Sequence, residues 1–272
     1  MKKNILQKFK KNGFVIGKIF SNKEIKTIES AIFRPFEILS KFLELGDWKK
    51  CKTYEEKLLL LEAIKNKDPK SYMNALKISQ NDPNILSIPS NKKLQNFLNK
   101  IGLCHPVVCL KTYPILLSSK IFVKNGYNIR PVHQEWPVMQ GSYNGVVMWF
   151  PLHNVNKNSS GIEIYPRSHT NGVYPYRISE CGSKIETNYV KKMGEPKKIF
   201  LKKGEAVFFS AFTAHRSFGN FNNLRVAISI RFNDIYDNNF INRKYIQTDQ
   251  YKINKHLIDN KQHRFVIKKY AK

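Results

Sequence analysis

The sequence predicts an α+β protein with a mainly β core: an antiparallel sandwich or jelly roll with N-terminal helices packed on it. Three observations carry this. Helical patterns fill the first third of the chain. From Val107 onward, short runs rich in β-branched and aromatic residues recur between turn residues. No Pro/Gly/Ser-rich linker separates the two parts, so helices first and strands later read as one compact unit rather than two. The expected organisation is a single domain over residues 1–272. It has a helix-rich part at 1–105, a jelly-roll core at about 106–235 and a basic tail at 236–272. A chain of 272 residues can bury one good core.

The elements follow in order. Residues 13–20 read as a strand. Ser21 and Glu24 form a capping box that opens a helix, expected to stop near Ile32, ahead of Pro35. Residues 55–66, rich in Leu, Glu and Lys, are a second helix. Tyr72 to Ser79 and Asn91 to Ile101 are two more. The expected strands are Val107 to Leu110, Lys120 to Val123, Gly145 to Pro151, Gly161 to Tyr165, Ala206 to Ser210 and Leu224 to Phe232. Asn125-Gly126, Ser160-Gly161, Asn171-Gly172 and Lys203-Gly204 punctuate them.

Composition narrows the class. A hydrophobic content of 42% and an aromatic content of 12% belong to a globular chain, not a disordered one. No apolar run reaches the roughly 18 residues a membrane-spanning helix needs. The basic N-terminus lacks the unbroken apolar stretch of a signal peptide. Cys51, Cys104, Cys109 and Cys181 show no Cys-x-x-Cys spacing, which fits a reduced, cytoplasmic protein. Cys104, His105 and Cys109 lack the second pair a zinc site requires. The net charge of +27 (47 Lys and Arg against 20 Asp and Glu) has two readings. It is a field that draws anionic partners, or the lysine-rich surface of an AT-rich genome.

The chemistry concentrates at Pro131-Val132-His133-Gln134-Glu135-Trp136. In an extended segment, residues two apart share a face, so His133 and Glu135 converge while Gln134 turns away. His215 offers a third ligand. Two histidines and a carboxylate on one side of a metal are the facial triad of non-haem Fe(II) oxygenases. Arg225, ten residues beyond His215, is expected on a strand paired with the one leading to His215. From there its guanidinium can bind a carboxylate through two hydrogen bonds, and Ser217 can donate to the same group. Arg231 shares the strand parity of Arg225 and is read as a structural ion pair. His169 is read as structural. Trp136, Tyr143 and Trp149 line a substrate pocket or serve as core aromatics. Lys124 precedes the first ligand and is a candidate contact for an anionic substrate.

In order along the chain stand His133-x-Glu135, Trp149-x-Pro151-Leu152, Gly161 through Pro166-x-Ser168-His169, Gly204-Glu205, His215-x-Ser217 and Arg225. This set resembles the phytanoyl-CoA dioxygenase family over roughly residues 105–235. The resemblance implies a double-stranded β-helix core, and Fe(II), 2-oxoglutarate and O2 as cofactor and cosubstrates. It implies His133, Glu135 and His215 as iron ligands, with Arg225 and Ser217 binding 2-oxoglutarate. It places Gln140, Ser142 and Asn144 on a strand facing the pocket. Gln140 is then a second contact to cosubstrate or substrate, and Asn144 a substrate contact. Most of the family has Asp where this chain has Glu135. Halogenases of the superfamily have a small residue there, so Glu135 argues for hydroxylation or desaturation.

The leading expectation is a hydroxylase of a small metabolite, with the positive charge favouring an anionic one and with succinate and CO2 released. A nucleic-acid-binding or nucleic-acid-modifying oxygenase is the second reading. It lacks the Asn-x-Tyr-Asn stretch that such demethylases carry. A non-catalytic small-molecule-binding protein on the same fold is the third.

Overall fold

The computed structural model describes residues 2–122, 129–179 and 182–245. The first elements are α1 (Lys2–Asn12), β1 (Phe14–Lys18), α2 (Asn22–Phe42), α3 (Tyr54–Lys67), α4 (Pro69–Ser79), α5 (Pro83–Leu86) and α6 (Lys92–Lys100). The strand-rich part follows, with β2 (Pro106–Leu117), α7 (Trp136–Met139), β3 (Val146–Pro151), β4 (Gly161–Ile164), β5 (Tyr176–Ser179), β6 (Gly182–Ile185) and α8 (Thr187–Val190). Last come β7 (Lys197–Lys198), β8 (Glu205–Ser210), β9 (His215–Phe218), β10 (Arg225–Asp234) and α9 (Asn238–Asn242). Lys124, Cys181 and the tail beyond residue 245 lie outside the described residues.

The strands form an antiparallel five-stranded sheet in the order β1-β8-β3-β10-β2 and a smaller sheet in the order β7-β4-β9. Period-2 alternation on the large sheet divides the core. Val146, Met148, Phe150, Phe208, Val226, Ile228 and Ile230 pack with the helices. Val147, Trp149, Val207, Phe209 and Ala227 face Ile162, Ile164 and Phe218 of the small sheet. The space between the sheets is where the candidate site lies.

The caps explain the helix starts. Ser21 and Glu24 make the expected capping box, and Thr53 with Glu56 makes a second. One expectation fails at Pro35, for α2 runs through it to Phe42. Proline removes one backbone donor but does not end the helix here. Phe36, one residue beyond it, is fully buried with Ile25, Ile28 and Ile32 in the helix-side core, so packing outweighs the lost bond.

β2 likewise outruns its expected end, continuing to Leu117 through Pro114, which pairs with Ile228. The sheet order leaves β2 at an edge, where a missing donor is tolerated. Ser119 to Ile121 form a 3-10 turn rather than the start of a strand. Gly13 joins α1 to β1 with φ +80, and a Cβ there would meet His169 and Thr213. His169 in turn donates through Nε2 to Lys10 O at 2.9 Å, in keeping with its structural reading.

Candidate metal centre

His133 and His215 are brought together by an isolated antiparallel bridge. Each amide donates to the other's carbonyl at 3.0 Å. The extended reading of the segment holds at His133 but not at Glu135. Glu135 has right-handed helical backbone angles, φ -86 and ψ -25, and opens α7. Its amide and that of Trp136 both donate to Ala211 O, at 3.0 and 2.9 Å. Glu135 therefore converges on His133 through a bridge followed by a turn, not through strand parity. Gln134 fixes that turn. Its buried amide donates to Gly172 O and Phe212 O and accepts from Tyr174 N at 2.9 Å.

The three side chains are buried, and their ligand atoms lie within 4.8 Å of one another. Glu135 Oε1 stands 3.6 Å from the Nε2 of His133 and 3.6 Å from that of His215. His133 Nδ1 lies 2.7 Å from Pro131 O, and His215 Nδ1 lies 3.0 Å from Thr213 O. A carbonyl only accepts, so each Nδ1 carries a proton, and in the neutral ring this leaves Nε2 as the atom that can ligate. Burial, then the neighbouring His215, pushes the His133 pKa down to about 4, which keeps it neutral. Burial is the largest influence on Glu135 and works to raise it, but Arg231 and the two imidazoles together outweigh burial and hold the carboxylate well below its usual range. A ring nitrogen from each histidine and a carboxylate oxygen are thus gathered where one cation could meet all three. Ring nitrogens oriented by backbone carbonyls are the usual support of metal-binding histidines. The donor set fits a divalent transition metal such as iron.

The family model for phytanoyl-CoA dioxygenase (PhyH) matches residues 9–225. The chain belongs to that family. It is accordingly a 2-oxoglutarate-dependent non-haem iron oxygenase, using Fe(II), 2-oxoglutarate and O2. Solved structures agree on the fold. The non-haem monooxygenase ThoJ in its apo form has a TM-score of 0.57 at 12% identity, covering 98% of this chain and 96% of that one. EctD from S. alaskensis with bound Fe has a TM-score of 0.56 at 12% identity, covering 86% of this chain and 77% of that one. No curated protein matches the sequence. The mixed α+β, jelly-roll expectation holds.

In this phytanoyl-CoA dioxygenase family member, β10 pairs with β2 and β3, not with the strand leading to His215. Arg225 reaches across the sandwich to the small sheet instead. Its Nη1 donates to Gly161 O on β4 at 2.9 Å, and β4 is the neighbour of β9. Ser217 sits on β9 opposite Ile162, one residue along from Gly161. Arg225 lies over Trp149, 5.7 Å from the ring centroid, so the Trp149 ring is partly committed to the guanidinium. Burial pushes the Arg225 pKa down to about 10, and among the described residues its Nε has no hydrogen-bond partner.

Gln140 is not on a strand. It ends α7 in the left-handed region at φ 45, and its amide donates to Pro137 O at 3.1 Å. Asn144 donates to Asp234 Oδ2 at 2.9 Å, in a cluster where Asp234 also accepts the amides of Cys104 and His105. Trp136 stacks on Phe212 with ring centroids 5.4 Å apart, and Tyr143 meets both rings edge-on.

Two arginines carry more than the sequence suggested. Arg231 donates through Nε to Glu135 Oε2 at 2.8 Å, so its ion-pair partner is a candidate metal ligand. Arg243, unremarked in the sequence, lies over Trp136 and Tyr143 and donates to Gln140 O at 2.7 Å. Strand parity put Arg231 on the correct face. Nothing in the local pattern marked Arg243, which folds back from beyond α9.

Proposed function

We propose that this protein hydroxylates a small anionic metabolite in the cytoplasm, with release of succinate and CO2. His133, Glu135 and His215 would hold the Fe(II). Arg225, with Ser217 beside it, would hold the distal carboxylate of 2-oxoglutarate. The observation that carries this reading is the buried convergence of three potential ligand atoms, from His133, Glu135 and His215, within 4.8 Å of one another.

Bound iron and 2-oxoglutarate supply the oxidation of a C–H bond; the chain's residues orient and shield. The two backbone carbonyls fix the imidazole tautomers. Trp149, Phe209 and Ala227 give the inter-sheet space an apolar lining that keeps it dry. The buried Arg225 guanidinium, without a carboxylate partner among the described residues, is unfavourably placed unless an anion joins it, and a dicarboxylate cosubstrate would supply one.

The anionic substrate is supported by the net charge of +27 and by a basic recess of about 670 Å³ walled by Arg130, Lys184, Lys198 and Arg216, the last ion-paired with Glu163. The recess lies on the outer face of the small sheet beside the site and would steer an anion toward that site. Pro131 and Ser217 also line it, each two residues from a candidate ligand. The test is succinate release by iron-loaded protein against a panel of phosphorylated, carboxylated and neutral metabolites, with mass analysis of each. The expected result is an oxygenated product from an anionic compound. Its formation should weaken with added salt and in Lys184→Glu/Lys198→Glu. Turnover of neutral compounds alone would contradict the reading.

A further inference from the structure

Glu135 divides its two carboxylate oxygens. Oε1 faces both imidazoles at 3.6 Å, and Oε2 accepts from Arg231 Nε at 2.8 Å. Arg231 is itself held in place. It lies mid-strand on β10, over the Tyr113 ring at 5.4 Å. The β10–β2 register shifts on both sides of it, between Ser229 and Arg231 and between Arg231 and Phe232. From Tyr113 to Leu110 and from Leu110 to Val108, β2 advances one residue more than β10, so the irregularity brackets Arg231. Pairing of β10 with β3 stays regular through the same residues. Bulges of this kind re-aim side chains beside functional sites.

Glutamate has one more rotatable bond than aspartate, so its carboxylate is harder to fix. It can also turn to present both oxygens to a metal. From the divided carboxylate we infer that Arg231 is a positioning residue: by holding Oε2, it limits Glu135 to single-oxygen ligation and keeps a coordination position open for cosubstrate. The inference rests on the metal-site reading above. It makes Glu135 and Arg231 a matched pair, in which the longer acid is usable because the arginine takes up its second oxygen.

The test uses the full-length protein and Co(II), whose visible bands report ligand number. Wild-type protein is titrated with Co(II) and then with 2-oxoglutarate, alongside Arg231→Met, Arg231→Lys, Glu135→Asp and the Glu135→Asp/Arg231→Met double variant. Arg231→Met should weaken Co(II) binding by about 10- to 100-fold, as loss of a group supporting a metal ligand does. Its bands should shift, and 2-oxoglutarate should perturb them less. Arg231→Lys should recover part of each change. Aspartate is too short to serve both Arg231 and the metal, so Arg231→Met should add little on the Glu135→Asp background.

Arg231→Met that binds Co(II) like wild type, with unshifted bands, would overturn the inference even if it unfolds more easily. Should Arg231→Met not fold, unchanged bands in Arg231→Lys together with an undiminished 2-oxoglutarate response would overturn it. Wild-type protein that takes up no Co(II) would sink the metal-site reading itself, a failure distinguishable from that of Arg231 alone.

Discussion

Gln134 and Tyr174 are joined by a buried hydrogen bond, Tyr174 N donating to Gln134 Oε1 at 2.9 Å. Gln134 lies between the two candidate ligands of the first motif, and its amide also donates to the carbonyls of Gly172 and Phe212. Gln134→Leu would strand a backbone donor and two acceptors, at about 1–3 kcal/mol for each buried group left unsatisfied. The expected outcome is lower stability in urea together with weaker metal binding, because the turn that aims Glu135 loosens. Unchanged metal affinity in the folded variant would show that Ala211 alone fixes the turn.

Arg225 gives a sharper prediction about cosubstrate. Hydrogen bonds to charged groups contribute about 1.5–3 kcal/mol, equivalent to roughly 10- to 150-fold in affinity. Arg225→Gln should raise the KM for 2-oxoglutarate within that range while leaving Fe(II) binding near wild type. Equal loss of both would place Arg225 in the support of the metal instead.

His153 carries a pH prediction with a definite sign. Burial first, and then the Arg225 charge, lower its pKa to about 4 from an ordinary 6.5, with Glu29 opposing and Lys203 adding to the effect. The unfolded chain therefore takes up the proton at a higher pH than the folded one. Stability from this group is fully present above about 6.5 and is lost as pH falls toward 4, by on the order of 3 kcal/mol. Urea unfolding from pH 7 to 4 should show a shallower acid loss for His153→Phe than for wild type. Equal slopes would contradict the assignment.

Gly141 tests the packing behind α7. A Cβ there would collide with the Asn233 side chain, whose Oδ1 accepts from Ser142 N at 3.0 Å. Gly141→Ala should cost about 1–3 kcal/mol through overpacking, read as a lower urea midpoint. A midpoint at the wild-type value would mean that the Asn233 side chain moves aside without loss.

Much of this was legible in the sequence, and the reasons differ by element. The strands around Met148, Phe208 and Ile228 announced themselves because burial on both faces makes them apolar throughout. The capping box at Ser21 was visible because its chemistry is local. The end of α2 was not, since Phe36 is held by core contacts that no local signal reports. The candidate ligand trio was readable as residue types in order, but its geometry was not. His133 and Glu135 meet through a bridge to β9 and a turn held by Ala211, and both depend on segments far along the chain. Arg225 was singled out by its distance from His215, and it lies on the opposite sheet, donating to Gly161 O on β4. Arg243 stayed hidden because a cation lying over aromatic rings across the fold leaves no periodic trace.

In the proposed site, His133, Glu135 and His215 would hold an iron to which 2-oxoglutarate binds. The most direct measurement mixes metal-free protein anaerobically with Fe(II) and 2-oxoglutarate and records the visible difference spectrum, for wild type and for His215→Ala. The wild type should show a weak charge-transfer band that is absent in folded His215→Ala. A wild-type protein that is folded and iron-loaded yet shows no band, or a band that survives the substitution, would contradict the proposed site.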